Sequence, residues 1–363
     1  MSEAVQSLVD RVRRAADAGT PLRVRGGGTK DFYGCALDGE LLDTRDCAGI
    51  VHYDPTELVM TACAGTPLAE VEAALEARGQ MLPFEPPHFT RAGQAATLGG
   101  CVAAGLSGPR RVAAGALRDY VLGAKLLDGQ ARVLAFGGEV MKNVAGYDVA
   151  RLLAGSLGTL GVILEISLKV LPRPVEEQTR RFELSEAAAI ETLNAWAGQP
   201  HPISASAWCD GVLWLRLSGA ATAVRAASAQ LGGDGVASAE AAAFWVALRE
   251  QTHPFFAGDA PLWRFALPSI SVPLALALDG TPLPAPLLEW GGALRWIRAG
   301  AEAQVMREAA ARAGGHATLF RAMDKPAGAF APPSALQLRL HRGLKAAFDP
   351  QRIFNRGRLY PDL

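Results

Sequence analysis

Residues 21–29 read PLRVRGGGT, a short run of strand-like alternation that empties into three successive glycines and a threonine. Glycines in series let main chain approach a ligand closely, because no side chain intervenes. Successive N–H groups in such a loop form a concave anion nest. Thr29 adds a hydroxyl donor and Arg25 a positive charge, so the guest such a loop suits is a pyrophosphate. Taken alone, Arg25-Gly26-Gly27-Gly28-Thr29 reads equally well as a plain glycine turn.

Two commoner phosphate loops do not fit. A Walker loop requires GxxxxGK[ST], which Gly26 to Lys30 does not supply. The GxGxxG dinucleotide fingerprint fails because the sixth position counted from Gly26 is Asp31, and residues 155–161, GSLGTLG, do not match it either. An NAD-type or ATP-type site is therefore not supported.

Three further glycine-bearing segments follow. Residues 95–100, AATLGG, again offer a hydroxyl at Thr97 and bare backbone at Gly99 and Gly100. Residues 115–123, GALRDYVLG, place Gly115 before Asp119, and residues 142–163 read KNVAGYDVARLLAGSLGTLGVI. Any one of these can be turn chemistry or helix packing. Four in this order make a ligand-binding reading the better one.

The elements around them form two textures. Ser2 suits a helix cap, the stripe Val5, Leu8, Val9 and Val12 follows, and Gly19 closes the helix. Strands at 21–25 and 40–44 complete a small β-α-β unit. A strand at 57–64 precedes a helix capped by Thr66 with Pro67 at its first position. Tyr120–Leu127 and Ala131–Phe136 flank Asp128-Gly129 as a hairpin. Lys142 to Ala154 reads as a helix and Thr159 to Val170 as a buried strand, with Pro172 and Pro174 marking a boundary. Beyond it, strands near 179–184 and 317–321 and hairpins at 204–217, around Asp210-Gly211, and 287–297, around Gly291-Gly292, alternate with helices near 185–197, 220–231, 239–251 and 301–313. This pattern suits helices on one face of an antiparallel sheet. Lys325 to Pro333 reads as a mobile linker before a last helix at 334–347.

Composition narrows the function classes. The 363 residues are enough for two domains, and 50% hydrophobic with 20% charged residues is an ordinary globular balance. Lys+Arg and Asp+Glu are each 36, so charge gives no reason to expect nucleic acid or an anionic membrane. No apolar run approaches the roughly 20 residues that cross a bilayer, and the N-terminus reads as an amphipathic helix and not a signal peptide. These features predict a cytoplasmic protein. The five cysteines, Cys35, Cys47, Cys63, Cys101 and Cys209, include no CxxC pair, so neither zinc nor an iron–sulfur cluster is expected. The six histidines, His52, His88, His201, His253, His316 and His341, show no i,i+3 or i,i+4 ligand spacing, and no metal is expected.

In combination, RGGGT, ATLGG, GxxRDxxxG and KNVxGYDxxxLxxGSxGTLGVI resemble the PCMH-type FAD-binding domain of the vanillyl-alcohol oxidase superfamily over nearly all of residues 20–172. Within it, KNVAGYD with GSLGTLG, GGHATLFRA at 314–322 and the terminal FNRGRLYP look most like the E-type subunits of bacterial glycolate oxidases. The resemblance implies an α+β fold: a two-subdomain FAD domain at 1–173, an α/β cap with an antiparallel sheet at 175–332, and a tail at 340–363 packing back on the FAD domain. It implies FAD gripped at its pyrophosphate by Arg25, Gly26, Gly27, Gly28, Thr29, Thr97, Gly99 and Gly100. Gly115 and Asp119 would lie along the flavin, Gly161 and Val162 would hold the adenine end through backbone, and Asn355 and Arg358 would return to the site. Relatives often carry proline where Arg356 stands, which leaves the tail's path open.

Members of the superfamily that bind FAD covalently use a histidine in or beside the glycine loop. Here the sequence is Gly28-Thr29-Lys30, so a non-covalent FAD is expected; Cys101 reads better as a small packing residue than as a link. The histidine motif HxGDGNxH of catalytic relatives is absent. The resemblance then implies an FAD-binding subunit of a complex that oxidises a small 2-hydroxy acid, glycolate to glyoxylate. Its partners would be the paralogous, FAD-containing catalytic protein of glycolate oxidase (the D type) and an iron–sulfur protein, through which any membrane association would run. The alternative is a stand-alone FAD-dependent dehydrogenase of the D-lactate type. Its site would draw on His316 and Arg321, with Arg264, Arg295 and Arg298 as further carboxylate candidates.

Overall fold

The computed structural model describes residues 2–36, 38–138, 147–278 and 280–363. The first half of the chain runs α1 (Glu3–Ala18), β1 (Leu22–Arg25), β2 (Glu40–Asp43), β3 (Ile50–Asp54), β4 (Val59–Cys63), α2 (Leu68–Glu76), β5 (Gln80–Met81) and α3 (Leu98–Ala104). It continues with α4 (Arg111–Ala114), β6 (Val121–Leu127), β7 (Val133–Gly137), α5 (Val149–Leu152), β8 (Val162–Lys169) and β9 (Leu171–Pro172). Helix α1 forms as its caps predict: the Ser2 hydroxyl accepts the Val5 amide at 3.4 Å and Gly19 ends it at φ 67°. Its stripe of Leu8, Val9, Val12 and Ala15 is buried against Leu22, Leu42, Val162 and the near-terminal Ile353 and Phe354. Each such aliphatic side chain contributes about 1.5–3 kcal/mol, so this cluster ties both ends of the chain to the parallel pair β1–β2.

Strands β3-β4-β8-β6-β7 form an antiparallel five-stranded sheet. β8 sits at its centre, which explains its burial on both faces. Two expectations for this half change. The Thr66 hydroxyl does not cap α2; it accepts the half-buried Gly49 amide at 2.9 Å and donates to the Gly49 carbonyl at 3.1 Å, which also accepts the Cys63 amide at 2.9 Å. The helix expected over 142–154 is described only as α5, capped by the Asp148 carboxylate on the Arg151 amide, and residues 142–146 lie outside the described residues.

The second half runs β10 (Glu176–Glu183), α6 (Glu186–Ala197), β11 (Ile203–Cys209), β12 (Val212–Gly219), α7 (Ala221–Leu231), β13 (Asp234–Gly235) and α8 (Ser238–Arg249). There follow β14 (Leu262–Ala266), β15 (Ala277–Leu278), β16 (Thr281–Pro282), β17 (Leu287–Glu289), β18 (Leu294–Arg298), α9 (Ala303–Arg312), β19 (His316–Arg321) and α10 (Ala335–Phe348). Their eight-stranded sheet has the order β13-β10-β12-β11-β17-β18-β14-β19. Period-two alternation sorts its side chains. Leu213, Leu215 and Leu217 face α6 and α7, and Phe265 and Ile297 face α9. The other face, with Ala205, Ala207, Trp296 and Phe320, meets the first half through Tyr33, Phe89 and Leu106. Helix α8 packs there through Phe244, Trp245 and Leu248, so the helices do not all share one face.

The segment 325–333 is anchored. Lys325 Nζ donates to the carbonyls of Phe32, Gly34 and Phe320 at 2.7, 3.0 and 3.1 Å, and Ala329 is buried. A proline- and glycine-rich composition hid that one lysine satisfies three loop carbonyls.

Candidate functional site

The glycine loop leaves β1 at Arg25 and runs into the packing surface of the 95–97 segment. A Cβ on Gly26 would come within 2.3 Å of Thr97 Oγ1, and one on Gly27 within 1.5 Å of the Ala95 carbonyl oxygen. Two stretches about 70 residues apart are thus in direct contact, and glycine is demanded at both positions by that contact. Gly28 needs glycine for a second reason, its φ of +76°. Among the described residues, the backbone amides of Gly26, Gly27, Gly28, Thr29 and Lys30 donate to no protein acceptor. Thr29 is buried and the other four are half-buried. Buried amides are nearly always satisfied, so a run of free ones leaves this loop with donors open to an acceptor-rich partner.

The cleft over this loop is closed by Thr97, Gly100, Leu157, Asn355 and Arg358. Thr97 is the N-cap of α3, its hydroxyl accepting from the Gly100 amide at 3.2 Å. Asn355 accepts the Val24 amide at 2.8 Å and donates to the Leu157 carbonyl at 2.6 Å. Arg358 donates to the carbonyls of Cys35 at 2.6 Å, Asp31 at 2.9 Å and Lys30 at 3.2 Å, which braces the loop's exit. Arg25 is not a free cation: its Nε lies 2.7 Å from the Asp31 carboxylate. Lys30, not among the expected site residues, faces the cleft between the His88 carbonyl at 3.3 Å and the Phe89 ring at 5.5 Å. Burial lowers its pKa, partly offset by Cys101 and Glu250. Its position directly after the GGGT run was the available signal.

Other expected site residues lie elsewhere. Gly99 packs on Ala64 instead of facing the cleft, with its amide bonded to the Ala64 carbonyl at 2.7 Å. Gly115 ends α4 at φ +102°, and Asp119 accepts the Ala116 amide at 2.8 Å, so this pair shapes a turn. Gly161 abuts the Leu127 carbonyl and Val162 is fully buried in β8; neither lines this cleft. Cys101 is buried, and desolvation raises its thiol to about 12.

His316 and Arg321 occupy opposite ends of β19, about 16 Å apart at strand rise. His316 is exposed, whereas Arg321 lies 4.6 Å from the Phe32 ring centroid and donates to Gln251 at 2.8 Å. They do not converge. Arg295 is consumed by carbonyls of Gly292, Ser271 and Val272, and Arg298 bonds the Phe255 carbonyl at 3.5 Å. Arg264 alone of these arginines has no hydrogen bond or ion pair among the described residues. No group of three or more His, Cys, Asp or Glu among the described residues could hold a metal. No described helix is long and apolar enough to cross a membrane.

The pattern of the FAD binding domain family matches residues 2–137. Across its whole length the chain aligns with "Glycolate oxidase subunit GlcE" of Escherichia coli (strain K12): 49% identity over 358 residues, 99% of this chain and 98% of the relative. The chain belongs to the GlcE family. The full-length alignment and the FAD-binding match at residues 2–137 make it a subunit of an FAD-dependent oxidoreductase. Glycolate oxidase subunit GlcD of Bacillus subtilis (strain 168) is 32% identical over 173 residues, 47% of this chain and 36% of that one. A D-lactate dehydrogenase of Archaeoglobus fulgidus is 30% identical over 174 residues, 47% of this chain and 37% of that one. Among solved structures, alkyldihydroxyacetonephosphate synthase superposes with a TM-score of 0.65 over 96% of this chain and 75% of its own, at 15% identity. That likeness establishes the shared α+β fold. The GlcE-family chain and the fold relative therefore share architecture across both halves, whereas the GlcD and D-lactate dehydrogenase alignments each span under half of this chain.

Proposed function

We propose that this chain is the FAD-holding subunit of a glycolate oxidase, an assembly that converts glycolate to glyoxylate. The observation that carries the reading is the run of five acceptor-less amides, Gly26 to Lys30, facing a cleft closed by Thr97 and the tail residues Asn355 and Arg358. In this reading residues 1–173 are the FAD domain, 175–332 the cap and 340–363 a brace. The amides and Thr97 take the diphosphate, and Lys30 and Arg358 balance its charge. Gly99 and Gly100 let α3 approach, Gly115 and Asp119 shape the turn beside the flavin, and Gly161 and Val162 serve the adenine end. FAD, once bound, supplies a hydride acceptor. No histidine stands in the glycine loop and the Cys101 thiol is buried and held protonated, which supports a non-covalent cofactor.

A paralogous FAD-containing protein of the GlcD type and an iron–sulfur protein complete the assembly, the latter carrying electrons onward. The chain works in the cytoplasm, and any membrane contact is made through these partners. The stand-alone alternative drew on His316 and Arg321, and their separation along β19 weighs against it.

Expression of the chain by itself tests the proposal. A yellow protein whose flavin is released into the supernatant on acid precipitation supports it. So does recovery of the two partner proteins when the chain is purified from its native cell. A colourless, folded chain that takes up no added FAD overturns it.

A further inference from the structure

Helix α10 (Ala335–Phe348) starts on a capping box. The Ser334 hydroxyl accepts the Gln337 amide at 3.3 Å, and the Gln337 side chain accepts the Ser334 amide at 2.8 Å. One face of the helix packs on the first half through Leu344 and Phe348. Lys345, 2% exposed, is held by Asp349 at 2.8 Å and by the carbonyls of Thr159 and Phe354, each at 2.7 Å.

The opposite face is open. Leu336 and Leu340 lie on it one turn apart, each 57% exposed, and the exposed Gly343 and Ala347 continue the row at i+7 and i+11. The row is about 16 Å long at helical rise. Single exposed leucines are ordinary. Two in register on a capped helix, followed by two small residues, form a seam. Nothing lies within 4 Å of a Cβ placed on Gly343, so a second helix has room to approach closely there. Beside the seam, on the flank of His341 and Leu344, an apolar cavity of about 350 Å³ has Leu152, Phe330 and Leu359 in its wall. A large apolar side chain from outside has a socket in it.

Charge decides the occupant. Helix α10 contains Arg339, Arg342 and Lys345 and no Asp or Glu. Residues 334–363 carry six Lys or Arg against two Asp, although the whole chain is balanced at 36 of each sign. Asp362 neutralises Arg342 at 2.7 Å. Arg339, exposed at the edge of the seam, has no hydrogen bond or ion pair among the described residues. Arg352 and Arg356, just after the helix, bond carbonyls and no carboxylate among the described residues. Pairing α10 with α10 of a second copy brings two basic helices together with no acid between them, which like-charge repulsion opposes. A lipid surface suits a helix with a broad apolar face; the open face here has two leucines and no aromatic ring. We infer that the open face of α10 docks an amphipathic helix of another subunit of the assembly, whose apolar stripe is flanked by Asp or Glu that meet Arg339.

The inference deepens the proposed function and rests on it for the identity of the partner subunits. To test it, the chain is co-expressed with the GlcD-type and iron–sulfur proteins, the GlcD-type protein carrying a tag. A photo-cross-linking phenylalanine derivative replaces Leu340. Irradiation is expected to join the chain to one stretch of one partner, with Asp or Glu within a helical turn of the attachment point. A cross-link to a second copy of the chain, to lipid, to a stretch without acids, or to nothing overturns the inference.

Variants give a second readout, the recovery of this chain on the tagged complex. Leu336→Asp combined with Leu340→Asp is expected to weaken recovery about tenfold or more. Arg339→Glu is expected to weaken it several-fold at low salt and less at high salt, and Arg339→Lys to retain it. Arg339→Glu serves if the double variant does not fold, folding being checked by melting temperature. Unchanged recovery of either folded variant overturns the inference. So does sedimentation of the parent chain with phosphatidylglycerol vesicles that the double variant abolishes, since the face would then belong to a membrane. A colourless parent that assembles through α10 would sink the proposed function and leave this inference standing. A yellow parent that assembles no better than the double variant would do the reverse.

Discussion

Asn355 and Val24 stand 331 residues apart in the chain, yet the Asn355 side chain accepts the Val24 amide at 2.8 Å. The same side chain donates to the Leu157 carbonyl at 2.6 Å, from a backbone held at φ 40°. One amide thus joins the strand before the glycine loop, the segment after α5 and the tail. Replacing Asn355 with alanine leaves a half-buried amide and a buried carbonyl unpaired, each worth about 1–3 kcal/mol when fully buried. Chemical denaturation is expected to show a loss of about 2–4 kcal/mol for Asn355→Ala, together with faster release of flavin on dilution. A variant as stable as the parent would count against the tail's bracing role.

Gly27 has no space for a side chain, since its Cβ would meet the Ala95 carbonyl oxygen at 1.5 Å. Gly27→Ala is expected to part the two loops and to lower bound flavin at least about tenfold, read as the ratio of visible to ultraviolet absorbance. Gly343, exposed within α10, has nothing near its Cβ. Gly343→Ala is expected to retain flavin and to raise stability by about 0.5–1 kcal/mol, the helix-propensity difference.

Glu85 joins the two halves through charge. It accepts two bonds from Arg216 of β12, at 2.8 and 3.0 Å, and lies 3.3 Å from Arg110. Burial pushes its carboxyl up, but Arg216 and Arg110 together outweigh burial and hold it below its ordinary range. Removing one partner of a buried pair is destabilising by about 3–5 kcal/mol; here Arg110 remains, so Arg216→Met is expected to lose about 2–3 kcal/mol. Because the pair is shielded from solvent, the loss should be nearly the same at low and high salt. A loss that vanishes in salt would place the interaction at the surface.

Glu289 gives the protein a pH signature. Its carboxyl rises from 4.5 to about 7 on folding, so the folded state keeps the proton longer than the unfolded state. The associated stability is full below the unfolded value of 4.5, declines as pH rises towards about 7, and is gone above it. The shift corresponds to about 3 kcal/mol. Glu289→Gln is expected to melt higher than the parent at about pH 8, and the gap should close towards about pH 5. Parallel melting curves at all pH values would contradict the burial of an ionising acid.

Much of this protein was legible in the residues. Caps and periodicity are local, so α1, with Ser2 before it and Gly19 after it, and the β6–β7 hairpin at Asp128-Gly129 stand where the sequence places them. The glycine loop was legible too, because only glycine tolerates Gly28's backbone and the Gly27 contact. What composition could not reveal was partnership across the chain. Lys325 looked like part of a mobile linker until two carbonyls of the distant 32–34 segment and the nearby Phe320 carbonyl converged on its ammonium. Arg264, Arg295 and Arg298 looked alike as sequence, and folding left only Arg264 without an acceptor among the described residues. Local conformational preference is written residue by residue. Whether a charge is matched or left open depends on which neighbours long-range packing delivers, and that is decided only when the sheets close on each other.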